Sequence, residues 1–155
     1  MDTKKILKSF IRIVNGIREY SLTKFSISEF GLQCPFRFAE NNALDREYFT
    51  VSVNEFQKIL EQDWTTQLKF SKENFDCDDF SIMLKGHLSS EYGINLFGIA
   101  IGFIEINGKK SGHSFGVFMD SSKEWYIVEP QNNGISKLSL GKIGDNIYSI
   151  DYVIL

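Results

Sequence analysis

The sequence predicts an α+β fold, with helices in the first part of the chain and an antiparallel sheet in the last. Two observations carry this. Apolar residues recur at helical spacing as far as Tyr92, whereas from Leu96 onward stretches rich in Ile, Val, Phe and Tyr alternate with turn signals. Patterns segregated in this way belong to helices packed against an antiparallel sheet rather than to alternating βα units. At 155 residues and 43% hydrophobic, with 14 Phe and 6 Tyr, the chain can bury an aromatic-rich core as one domain spanning residues 1–155.

From Lys4 to Tyr20, the residues Ile6, Leu7, Phe10, Ile13, Val14 and Ile17 predict an amphipathic helix, with Asp2 or Thr3 as its N-cap. Leu22 to Phe38 alternates only in part and contains Cys34-Pro35, so irregular chain with one strand is expected there. Ser52 and Glu55 make a capping box, and Val53, Phe56, Ile59 and Leu60 supply the stripe of a helix ending near Trp64. A second helix is expected over Asp76 to Tyr92, where Phe80, Met83, Leu84 and Leu88 share a face and Gly93 stops the run. Strands follow at Leu96–Ile106, Ser114–Asp120, Glu124–Glu129 and Asn146–Ile154. Asn107-Gly108, Asp120-Ser121-Ser122 and Asn132-Asn133-Gly134 supply the turns. Gly98 and Gly102 predict a close approach of neighbouring backbone.

Composition narrows the function classes. Net charge is −3 and no run of Lys and Arg interleaves with aromatics, so nucleic acid is not an expected partner. Lys4, Lys5, Lys8, Arg12 and Arg18 interrupt the N-terminal stretch, which does not read as a signal peptide. The longest apolar run, Ile94 to Ile106, is broken by Asn95 and Glu105 and is shorter than the ~18 residues a membrane span needs. No membrane partner is expected. With only Cys34 and Cys77, a disulfide framework is not expected either, and a cytoplasmic, reducing setting follows. Oligomeric state is left open by the sequence.

Three short motifs stand where elements begin or end: Asp76-Cys77-Asp78-Asp79-Phe80, Gly112-His113-Ser114 and Val128-Glu129-Pro130-Gln131. A thiol at a helix start faces unpaired backbone N–H groups and the positive end of the helix dipole, which favour the thiolate. Cys77 is therefore the candidate nucleophile. His113, on a neighbouring strand, is the candidate general acid and base, and Glu129, one strand further, would orient its ring. The other histidine, His87, lies ten residues along the helix from Cys77, about 15 Å away, too far to act as the base and expected at the surface. Gln131, Gln67, Asn74 and Trp64 are candidates for the substrate cleft or for an oxyanion donor. Cys34, beside Pro35, is assigned no role. Asp76, Asp78 and Asp79 would repel a neighbouring thiolate, so a charged His113 or a bound cation must offset them.

These motifs, in this order, resemble papain-like cysteine peptidases, and most closely the C-terminal protease domain of fungal agglutinins with its relatives in bacteria and phages. The resemblance spans Trp64 to Gln131. It implies a papain-like fold, with the nucleophile at a helix start packed on a C-terminal antiparallel sheet. It also implies a Cys77–His113–Glu129 triad hydrolysing peptide or isopeptide bonds of a protein or peptide substrate through an acyl-enzyme. Acyl transfer of the transglutaminase or amidase kind on the same triad, and a catalytically silent binding module that keeps the fold, are the alternatives. No cofactor is required by the residues themselves, but the resemblance implies calcium dependence, for which the crowded carboxylates Asp76, Asp78 and Asp79 are the candidate ligands.

Overall fold

The computed structural model describes residues 20–26 and 45–155. The helix expected from Lys4, all but Tyr20, lies outside the described residues, as do Cys34 and the rest of the irregular stretch beyond Ser26.

A short ribbon comes first, in which β1 (Thr23–Ser26) pairs antiparallel with β2 (Glu47–Thr50). Helix α1 (Val53–Gln62) starts at the expected capping box. The Ser52 backbone N–H donates to Glu55 Oε2 at 3.1 Å, and the Glu55 N–H donates to Ser52 Oγ at 3.3 Å. Helix α2 (Cys77–Tyr92) ends at Gly93, whose φ of +71° is a left-handed conformation that glycine adopts without strain.

The remaining strands are β3 (Phe97–Ile106), β4 (Lys109–Met119), β5 (Trp125–Glu129), β6 (Gly134–Lys137), β7 (Lys142–Ile143) and β8 (Asn146–Ile154). They form one antiparallel sheet in the order β6-β5-β4-β3-β8-β7. Asn107 and Gly108 take φ of 52° and 75°, which suits the twist of a two-residue hairpin turn. That turn carries β4 back to Lys109, five residues (114 − 109) before the expected start at Ser114. Lys109-Lys110-Ser111-Gly112 shows no apolar alternation, and backbone pairing with the end of β3 holds it in place. His113 consequently sits inside a strand rather than at its entry.

The expected α+β, papain-like arrangement is corrected by this architecture. Among the described residues the chain is mostly β, with two helices against a six-stranded sheet that curls until its edges nearly meet. A Cβ built on Gly134 of β6 would lie 2.9 Å from Ile143 of β7, at the opposite edge. The short strands β1, β2, β6 and β7 carry too few residues to show a pattern in the sequence, and they move the balance toward β.

Side chains alternate between two apolar layers, as a pleated strand requires. Phe115, Val117 and Met119 of β4 and Trp125 and Ile127 of β5 join Tyr148 and Val153 of β8 on one face. Phe118, Tyr126 and Val128 turn to the other face, where Phe56, Ile59, Leu60, Leu84 and Leu88 of the helices cover them. The ring of Phe56 stacks on that of Phe118 at 3.8 Å between centroids.

The pairing of β3 with β8 shifts register between Ile101 and Gly102, and a Cβ at Gly102 would run into the carbonyl oxygen of Ser149. Gly102→Ala should therefore lower the unfolding free energy in urea by about 3 kcal/mol, because backbone yields less readily than a side chain. Gly112→Ala, with open space around the added methyl, should stay within about 0.5 kcal/mol of the parent.

Candidate functional site

Cys77 is the first residue of α2 and is half-buried. Strand β4 runs past this helix start. The Ser114 N–H points at Cys77 Sγ at 3.4 Å, and the imidazole of His113 stands close enough to the Cys77 side chain for the sulfur to raise its pKa. On the adjacent β5, Glu129 Oε2 lies 2.7 Å from His113 Nε2. With Nε2 engaged by the carboxylate, Nδ1 is the ring nitrogen left for the sulfur. Glu129 is only 4% exposed, and its oxygens are well supplied with donors. Oε1 accepts the Gln131 N–H at 3.3 Å, and Oε2 accepts the Tyr148 hydroxyl at 3.1 Å.

Two serines tie the helix start to the sheet. Ser81 Oγ donates to the Cys77 carbonyl at 3.0 Å, and Ser114 Oγ donates to Ser81 Oγ at 3.3 Å. Ser81, Ser114 and Tyr148 were missed at the sequence level. Ser81 stands four residues after Cys77 and Ser114 directly follows His113, so spacing could have found those two; nothing local points to Tyr148.

Burial opposes charge on His113, but hydrogen bonds to Cys77 and Glu129 and the negative charge of both partners outweigh it. The His113 pKa is raised from 6.5 to about 9. At neutral pH the ring is an imidazolium between a carboxylate and a sulfur. Burial, then the charge of Glu129 and the hydrogen bond to it, push Tyr148 upward, so its hydroxyl stays protonated as a standing donor.

Part of the crowding of acids beside the thiol is relieved locally. Asp76 and Asp78 hydrogen-bond each other, which raises the pKa of Asp78 and lowers that of Asp76, as expected when two carboxyls share a proton. Asp79 is turned to the helix cap, its Oδ2 accepting the Asp76 N–H at 3.1 Å. The side-chain ligand atoms of Asp76, Cys77 and Asp78 lie within 4.8 Å of one another. Calcium takes about six to eight oxygen ligands, and these two carboxylates and a sulfur by themselves fall short of that set.

The remaining candidates separate. Gln131 supports Glu129 through its backbone. Gln67 and Asn74 make local backbone bonds, to Trp64 O at 2.9 Å and Ser71 O at 3.0 Å. Trp64 lies against His87, with ring centroids 4.3 Å apart, toward the other end of α2 from Cys77. His87 is not a free surface residue, for its Nδ1 lies 3.0 Å from Asp63 Oδ2 and 3.2 Å from Thr65 Oγ1.

The family described as Agglutinin C-terminal matches residues 48–135, more than half of the chain. The chain belongs to the Agglutinin C-terminal family. Cys77, His113 and Glu129 all lie within the matched span of this agglutinin domain. Among solved structures, a PSL1a–E64 complex matches at TM-score 0.60 and 18% identity, covering 85% of this chain and 50% of that one. A lectin from Polyporus squamosus, bound to the human-type influenza-binding epitope Neu5Aca2-6Galb1-4GlcNAc, matches at TM-score 0.54 and 20% identity. That match covers 73% of this chain and 45% of the lectin. The agglutinin chain thus spans about half the length of these structures, and at such identities the likeness establishes the fold. No curated protein matches the sequence significantly.

These findings correct the identification as a papain-like cysteine peptidase. The matching family is that of agglutinin C-terminal domains, so the descriptions hydrolase, thiol protease and enzyme give way to that of a binding module. The order Cys, His, Glu carried the peptidase reading, and order alone specifies an arrangement of groups, not an activity.

The raised pKa of His113 has a consequence for stability. The folded chain holds this proton more tightly than the unfolded chain does, so its contribution is complete below about pH 6.5 and is lost as pH rises through about 9. Urea unfolding of the parent should show stability declining across that window, and His113→Ala should flatten the decline.

Proposed function

We propose that this agglutinin C-terminal chain is a binding module whose ligand site centres on Cys77, His113 and Glu129. The observation that supports this best is the 2.7 Å contact between buried Glu129 and His113, whose ring stands next to the half-buried thiol. A merely structural cysteine needs no imidazolium and no buried carboxylate behind it. In this reading Cys77 is the nucleophile, His113 moves its proton and Glu129 holds the ring. A ligand carrying an electrophilic carbon is captured as Sγ forms a bond to that carbon. With an epoxide, the carbon–oxygen bond opens and His113 protonates the resulting alkoxide, so charge and protons balance.

The fold neighbour PSL1a was solved as a complex with E64, which makes this epoxide the first probe to try. Intact-mass analysis at pH 6 to 7 should find one E64 per chain, mapped to Cys77 and absent from Cys77→Ala. Iodoacetamide should label Cys77 faster than Cys34, and His113→Ala should slow labelling of Cys77 at least tenfold. Equal labelling of the two thiols would overturn the proposal. So would steady release of product from a peptide or amide with Cys77 regenerated, since that is turnover rather than binding. Calcium enters only as a test: labelling that changes between added calcium and a chelator would give it a role the described carboxylates do not supply.

The sialylated epitope bound to the Polyporus squamosus lectin favours a second reading, in which the module takes a sialylated glycan. Calorimetric titration with that trisaccharide should then give saturable heat, and a flat titration would remove this reading while leaving the thiol site intact. Among the described residues no helix is long and apolar enough to cross a membrane. The proposed chemistry needs a reduced Cys77, which agrees with the reducing, cytoplasmic setting expected above.

A further inference from the structure

We infer that Tyr148 is a positioning residue of this site, its hydroxyl fixing Glu129 Oε2 against His113 from the far side of the curled sheet. The inference rests on the thiol-centred reading above.

The sheet order separates β8 from β5 by β3 and β4. In a flat sheet three strand spacings amount to roughly 14 Å, beyond the reach of one tyrosine side chain. Curling of the sheet closes that gap, and the Tyr148 hydroxyl reaches Glu129 Oε2 at 3.1 Å. The ring itself is firmly held. It is 6% exposed, meets Phe115 edge-on at 5.0 Å between centroids, and lies 6.1 Å from the His113 ring. The Asn146 side chain, at the start of β8, lies near enough to the hydroxyl to act on its titration, lowering the pKa that burial and Glu129 raise. A chain of contacts therefore runs from Asn146 through Tyr148, Glu129 and His113 to Cys77.

Two features go beyond a buried hydroxyl finding a convenient acceptor. Tyr148 donates to the same carboxylate oxygen that meets His113, so it acts on the atom that aligns the ring. It also lies beyond residue 135, where the family match stops, so β8 adds a residue that the matched segment does not contain. Without the hydroxyl, Glu129 can turn about its side-chain bonds, and the imidazolium loses part of the alignment that stabilises it.

The test is the pH dependence of iodoacetamide labelling at Cys77, followed by peptide mass so that Cys34 does not contribute. The parent should label on the acid side of neutrality, with a second midpoint near 9 as His113 loses its proton. Tyr148→Phe, which keeps the ring and the core contacts, should move that midpoint down by about one unit, a tenfold change in the equilibrium. A smaller shift in the same direction is expected of Asn146→Ala, which alters a half-buried strand-end residue and so reports even if Tyr148→Phe does not fold. Phe115→Leu, which disturbs ring packing but removes no hydroxyl, should leave the midpoint near 9. A midpoint that rises or stays put in Tyr148→Phe and in Asn146→Ala overturns the positioning role. A parent with neither acid-side labelling nor the upper midpoint overturns the thiol-centred reading itself, so the two failures are distinguishable.

Discussion

The site depends on one buried carboxylate. Glu129 is almost wholly removed from solvent, and an isolated ionised carboxyl there would cost several kcal/mol. Three donors make it tolerable: His113 Nε2, the Tyr148 hydroxyl and the Gln131 N–H. Each comes from a different part of the sheet or its turns. Satisfying this one group therefore holds β4, β5 and β8 in fixed relation, and the charged imidazole that results is what the sulfur of Cys77 meets.

The two apolar layers supply the frame. Helix α2 packs its Leu84 and Leu88 on the face of the sheet lined by Phe118 and Val128, which sets where the helix begins and hence where Cys77 stands. The opposite face collects Phe115, Trp125, Ile127 and Tyr148 inside the curl. His113 continues the line of Phe115 on β4, its ring 6.0 Å from the Phe115 ring, so the imidazole is an extension of the core at its polar end. Burial and function are linked here, because the same environment that disfavours a charge makes the compensating hydrogen bonds strong.

Much of the local structure was legible in the sequence. The capping box at Ser52 and Glu55, the glycine stop at Gly93 and the Asn107-Gly108 turn each involve residues within a few positions of one another, and all three appear where expected. The close approach expected at Gly102 is present, against the backbone of Ser149. Less was legible where pairing alone sets the structure. The polar start of β4 and the short strands β6 and β7 have no pattern of their own, and their partners define them. The papain-like, peptidase description went beyond what the motifs contain, since the order of three residues does not state what they bind or whether a product leaves.

By itself, the sequence determined which residues could supply a thiol, an imidazole and a carboxylate, and that the thiol stands at a helix start. These are local properties, set by neighbours in the chain. The tertiary structure alone decided that Glu129 would be buried, that Tyr148 would share its oxygen with His113, and that Trp64 would turn to His87 rather than to the thiol. Those outcomes depend on the curl of a six-stranded sheet and on contacts between residues tens of positions apart, for which no short stretch of sequence carries a signal.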